Sequence, residues 1–105
     1  MLSPREHKNL ENYVQGRDVS RMATAFDALG EPKRCLIFRA LLRENNAIVG
    51  QLASAVGISE SLASQHLKIL LQAGLIERNK IGKNVYYRVN KNDSLVRALK
   101  KAVES

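Results

Sequence analysis

QLASAVGISESLASQHLKILLQAGLI, residues 51–76, decides how this chain folds. It reads as a short helix over 49–56, a turn at Gly57-Ile58-Ser59, and a longer helix over 60–72 that Gly74 terminates. Ala53 is small where two such helices would cross, so their backbones can approach. Gly57, four residues on, stands where the turn requires tolerance of a positive φ. Leu52, Val56, Ile58, Ala63 and Leu67 form the apolar wedge that fixes the angle between them. The longer helix also carries a second stripe. Ser61, Ser64, Gln65 and Lys68 fall at i, i+3, i+4 and i+7, small polar and basic side chains where a merely solvated face would show Glu and Lys.

After Gly74 the apolar period changes from helical to two. Leu75–Asn79 and Val85–Val89 flank KIGKN, and Gly82 permits a tight reversal, so a β-hairpin is expected over about 75–89. Val85, Tyr87 and Val89 share one of its faces, with Tyr86 and Arg88 on the other. Arg78, Lys80, Lys83 and Arg88 oppose Glu77 alone. Helix, turn, helix, basic hairpin is the layout of a winged helix-turn-helix, a mainly α fold with a β-hairpin wing. Such a fold lays its second helix in the DNA major groove, N-terminal residues against base edges.

On that scaffold the polar stripe is a reading face. Ser61 and Ser64 can donate or accept, Gln65 can pair in bidentate fashion with adenine N6 and N7, and Lys68 suits a phosphate or guanine. Ser59 is placed to cap the helix, whose N-terminus favours a phosphate. Glu60 is placed either to accept from a cytosine amine or to complement the helix dipole. Wing cations track the DNA backbone, which assigns Arg78, Lys80, Lys83 and Arg88 to phosphates. Tyr86 and Tyr87 are expected to pack within the hairpin.

The flanking segments read as helices. Ser3-Pro4-Arg5-Glu6 forms a capping box for a helix over about 4–15, ending near Gly16. Its apolar residues Leu10, Tyr13 and Val14 are too few for a core helix, so it is expected to dock on a second subunit. Asp18 or Ser20 caps the next helix, whose core face is expected at Met22, Phe26 and Leu29. Gly30 ends it, and Pro32 opens a helix with Leu36, Ile37, Ala40 and Leu41 on its inner face and Cys35, Phe38 and Leu42 beside it. Asn92 or Asp93 caps a last helix over about 93–104, where Leu95, Val96, Leu99, Ala102 and Val103 line up. A single domain over 1–105 follows, with the helix-turn-helix over about 49–72.

The chain has 105 residues, 17 Lys plus Arg against 10 Asp plus Glu, a formal charge of +7 that favours a polyanionic partner. Its one cysteine excludes an intramolecular disulfide. The N-terminus lacks the apolar stretch of a secretory signal and no run is long enough to span a membrane, so a cytoplasmic protein without membrane attachment is expected. No Ser-His-Asp order, paired carboxylates or phosphate-binding glycine loop appears, so an enzyme is not expected.

FDALGEPKRCLIFRALL, QLASAVGISESLASQHLKILLQAGLIERNKIGKNVYYRV and the last helix together resemble the ArsR/SmtB family of bacterial repressors over residues 19–104. The resemblance implies a homodimer, joined through the first and last helices (Leu10, Tyr13, Val14, Leu95, Val96, Leu99 and Val103), that occludes a palindromic double-stranded DNA operator. It implies no cofactor. Metal-sensing relatives carry a Cys-x-Cys pair where this chain has Ile48 and Gly50, or Asp and His on the last helix, which here has Asp93 and Glu104 but no histidine. No metal site of either kind is therefore expected, and the residues name no inducer. His66 is expected to pack and hydrogen-bond within the helix-turn-helix, and His7 to lie on the surface. A ligand-, thiol- or metal-responsive sensor built on Cys35 is the alternative within this class. A winged-helix protein-interaction module is the alternative outside it.

Overall fold

Capping side chains set most of the helix N-termini. In the computed structural model, which describes residues 1–15 and 18–104, the order is α1 (Pro4–Gln15), α2 (Val19–Leu29), α3 (Pro32–Arg43), α4 (Val49–Val56), α5 (Glu60–Gln72), β1 (Ile76–Ile81), β2 (Asn84–Val89) and α6 (Ser94–Glu104). Ser3 and Glu6 close a reciprocal capping box, each accepting the other's backbone N–H at 3.1 Å. Asp18 caps α2 through the Arg21 N–H at 3.1 Å, and Ser59 caps α5 through the Leu62 N–H at 3.1 Å. Asp93 Oδ1 caps α6, accepting from Leu95 at 2.8 Å and Val96 at 3.2 Å. The expected stop at Gly16 lies outside the described residues.

The turn between α4 and α5 rests on Gly57, whose φ of +80° is left-handed. Its amide and that of Ile58 both donate to the Ala53 carbonyl, at 2.8 and 3.0 Å, closing α4 on the small residue where the helices meet. The hairpin is tighter than the sequence suggests. β1 and β2 pair from Ile76 opposite Val89 to Ile81 opposite Asn84, leaving Gly82 and Lys83 as a two-residue turn with Gly82 at φ +63°. A third, one-residue strand was not foreseen. Ala47 pairs with Tyr87 in both directions, at 3.0 and 2.8 Å, and so ties the wing to the segment entering α4.

The core gathers Ile37, Phe38 and Leu41 of α3, Leu52 and Ala53 of α4, Ala63, Leu67 and Leu70 of α5, and Leu75, Ile76 and Val89 of the hairpin. α2 meets it with Ala25 and Ala28, not with Met22 and Phe26, which are 39% and 55% exposed. Alanines let the α2 backbone come close, and that rotation turns the larger side chains outward. Leu36 of α3 is likewise exposed, correcting the expected inner face of that helix. On α6 it is Val96 and Leu99 that are buried, at 2% and 8% exposure. They belong to this subunit's own core and are not free to meet a partner. α1 buries none of its residues, and the radius of gyration, 17.2 Å, exceeds the about 13 Å of a compact chain this long.

Two stability effects follow. Arg21 pairs with Asp93 and, with the α6 backbone N–H groups, holds the Asp93 carboxyl below its usual range. The stability this contributes is present above the ordinary carboxylate pKa of about 3.9 and is lost as pH falls through the lowered native value. Asp93→Asn should therefore cost about 1 kcal/mol in urea melts at neutral pH, and the gap to wild type should close in acid. Gly57→Ala should cost about 1–2 kcal/mol from backbone strain alone, because a Cβ there meets nothing within 4 Å. Gly57→Asn, which tolerates the left-handed conformation, should melt closer to wild type.

Candidate nucleic-acid interface

α5 is polarised across its axis. Ala63, His66, Leu67 and Leu70 are buried, while Ser61, Ser64, Gln65 and Lys68 are all exposed. None of those four makes a side-chain hydrogen bond or ion pair among the described residues, so their donors and acceptors face outward uncommitted. Two of the four are serines, short side chains that let a helix approach a groove closely.

The structure resolves the position of Glu60. Its carboxylate folds back over α4, with Oε1 3.4 Å from where a Cβ on Gly50 would stand. The exposed carboxylate lies beside the first turn of its own helix, where negative charge complements the macrodipole. It does not belong to the outward stripe. Ser59, by capping α5, leaves the helix N-terminus at the edge of the exposed face.

The wing divides its cations by face. Arg78 lies opposite Tyr87 and Lys80 opposite Val85, on the sheet face that also carries Ile76 and Val89. Near the base that face is core; farther out it is exposed, and Arg78, Lys80 and the turn residue Lys83 are open to solvent. Ile81, 60% exposed, sits among them at the tip. Arg88 lies on the other face, as its position in the strand predicts, but directly across from Glu77, and it donates to that carboxylate from Nε at 3.0 Å. Its charge is matched within the hairpin, so the free positive charge of the wing comes from Arg78, Lys80 and Lys83.

The sensor residues are dispersed. Cys35 is half-buried on α3; His7 is on the surface, paired with Glu11 at 2.8 Å. His66 is buried between α5 and α3 against Arg34 and Glu31. Among the described residues, no group of three or more His, Cys, Asp or Glu side chains stands where it could hold a metal ion. Nor is any helix of the described residues long and apolar enough to cross a membrane.

The contacts that sequence reading missed join residues far apart in the chain. Arg21 with Asp93, Ala47 with Tyr87 and Arg34 with His66 leave no spacing signal. The one local hint was Glu31, an acidic residue immediately before Pro32. It caps α3 by accepting the Arg34 N–H at 2.7 Å, a bond that holds its carboxyl below the usual carboxylate range.

Comparison with known proteins accords with this geometry. A homologue of the transcriptional repressor SmtB from Synechocystis is 38% identical over 72 residues, 69% of this chain, and the chain spans 54% of that relative's length. The nodulation protein NolR of Rhizobium meliloti is 33% identical over 99 residues, 93% of this chain and 71% of NolR. Among solved structures, the homodimeric winged helix-turn-helix DNA-binding domain of a possible ArsR-family regulator from Mycobacterium bovis superposes with a TM-score of 0.69 at 26% identity. That match covers 98% of this chain and 84% of the other. The sequence model described as "Bacterial regulatory protein, arsR family" matches residues 31–78, from the cap of α3 into the wing. The extent of the NolR match, together with that model, shows that the chain belongs to the ArsR family of bacterial regulatory proteins.

Proposed function

We propose that this protein is a sequence-specific DNA-binding transcriptional repressor that works as a homodimer on a palindromic operator. The observation that carries the reading is the uncommitted polar face of α5, Ser61, Ser64, Gln65 and Lys68, with three free cations on the adjoining wing. Ser61, Ser64 and Gln65 read base edges, Gln65 by bidentate pairing to adenine, and Lys68 takes a guanine or phosphate at the end of the stripe. Ser59 and the α5 N-terminus, with Arg78, Lys80 and Lys83, hold the phosphate backbone and fix the register. Arg88 acts through the wing's own structure, by its pair with Glu77.

Dimerisation rests on the apolar side chains the subunit leaves uncovered. Leu10, Tyr13 and Val14 on α1 are 48%, 81% and 56% exposed. Leu95 and Val103 of α6 are half-buried at the margin of the core, and Met22 and Phe26 of α2 extend the surface. Two copies joined there present two α5 helices to successive major grooves, with half-sites separated by about one helical turn, 10–10.5 bp, or a multiple. Such a dimer represses by occupying the DNA that polymerase needs. A metal sensor of the Cys-x-Cys or last-helix type is not proposed, since Ile48, Gly50 and a histidine-free α6 supply neither ligand set.

The direct test is fluorescence anisotropy on the DNA upstream of the protein's own gene, beside a shuffled fragment, at two salt concentrations. Binding about a hundredfold tighter to the native fragment is expected, in keeping with the gap between specific and non-specific sites; equal, salt-erased binding to both would overturn the reading. Gln65→Ala should cost about 1–3 kcal/mol on the operator and relax preference at one base position. Lys83→Ala should weaken all sequences about equally and make the log–log salt slope shallower by about 1. Indistinguishable behaviour of the two variants would contradict the division between base readers and backbone contacts.

A further inference from the structure

One polar side chain is buried beneath the reading face. His66, 8% exposed, points from α5 into the N-terminus of α3. Arg34 Nη1 lies 3.4 Å from its Nδ1, and Glu31 Oε2 lies 3.6 Å from its Nε2. A guanidinium has no acceptor, so Arg34 is the donor and Nδ1 carries the lone pair. The ring proton then sits on Nε2, facing the Glu31 carboxylate. With Nδ1 as acceptor and the proton on Nε2, the ring matches both neighbours.

Arg34 is itself held. Its Nε donates to the Ala28 carbonyl and its Nη2 to the Asp27 carbonyl, closing the end of α2, while its backbone N–H is bonded to Glu31. Through one guanidinium, α2, α3 and α5 are joined at His66, beside Gln65 and within a turn of Ser64 and Lys68. Glu31 and Arg34 are the charged groups on α3 that face the ring. α4 has no charged residue, and on β1 Glu77 is paired with Arg88. A second proton, on Nδ1, would replace an acceptor with a donor and set two cations against each other where Arg34 now donates. Glu31, on the Nε2 side of the ring, cannot restore the bond to Arg34.

We propose that Arg34 and Glu31 are positioning residues for DNA recognition, holding α5 at its working angle through neutral His66, so that operator binding weakens when His66 is protonated. This rests on the reading of α5 as the DNA-contacting helix. His66→Asn can place an oxygen near the Nδ1 position to accept from Arg34, and it never takes a proton; Arg34→Gln removes the guanidinium fork.

The experiment measures anisotropy of the full chain on its upstream DNA at about pH 8 and about pH 5.5, the range in which imidazoles titrate. Wild type should lose about tenfold more affinity in acid than His66→Asn does, the equivalent of one charge-assisted hydrogen bond. Arg34→Gln should be weaker by a similar factor at the higher pH and should lack the extra loss in acid. In parallel, nitrogen NMR of the DNA-free protein should show the Nε2–H tautomer, and the amides of residues 61–68 should shift when His66 protonates. An acid loss that persists unchanged in His66→Asn, or a proton found on Nδ1, overturns the proposal while leaving DNA binding intact. Failure of wild type to prefer its operator at either pH overturns the functional reading and the operator half of the proposal with it. The NMR result then decides separately whether the Arg34–His66 bond holds α5.

Discussion

α5 can offer an uncommitted polar face outward only because its inner face is fully buried. Leu67 and Leu70 are 0% exposed against a core that includes Ile37, Phe38 and Leu41 of α3, each also 0% exposed. Burying a side chain of this size contributes about 1.5–3 kcal/mol. Five of them outweigh the few tenths of a kcal/mol by which serines disfavour a helix interior. The polar face therefore owes its form to packing on the other side. α5 need not be stabilised by Glu–Lys pairs along its exposed stripe, and those positions are left free for the base contacts proposed above. Ala53 and Ala63, buried in α4 and α5, keep the two helices close enough that nothing larger separates the turn from the core.

How much of this could be read from the sequence depended on how local the cause was. The α4–α5 boundaries, the turn at Gly57 and the caps at Ser3, Asp18, Ser59 and Asp93 each arise from residues within three or four positions of one another, and the periodicity and cap chemistry exposed them. The direction of α2 was misread because hydrophobicity pointed to Met22 and Phe26, whereas the approach of α2 to its neighbours was set by Ala25 and Ala28. Small residues carry little hydrophobic signal, and they matter most where backbones come close.

The candidate site shows the same division. The stripe of residues 61–68 was legible because exposure on a helix follows the same period as burial. Arg88 was not, because its partner Glu77 is eleven residues away and becomes its neighbour only through the hairpin register. Moving the turn from five residues to two aligned those two strands and set a carboxylate directly across from one of the wing's cations. A count of basic residues overstates the charge available to a phosphate wherever register supplies a carboxylate.

The exposed apolar surface then bears on assembly in a way that the buried residues of α6 sharpen. Val96 and Leu99 are used within the subunit, so α6 has only its margins, Leu95 and Val103, to give to a partner. A narrow seam of that kind would hold two copies weakly by itself. α1 supplies what is missing, since Leu10, Tyr13 and Val14 stay exposed in the isolated subunit, and a capping box starts a helix none of whose residues is buried among the described residues. An isolated helix of twelve residues is marginal in water. In the homodimer proposed above a second copy completes this helix, so that the two α5 helices acquire a fixed separation as α1 acquires its packing. On that proposal, the spacing of the two half-sites is set by the docking of α1 as much as by the helix-turn-helix that touches them.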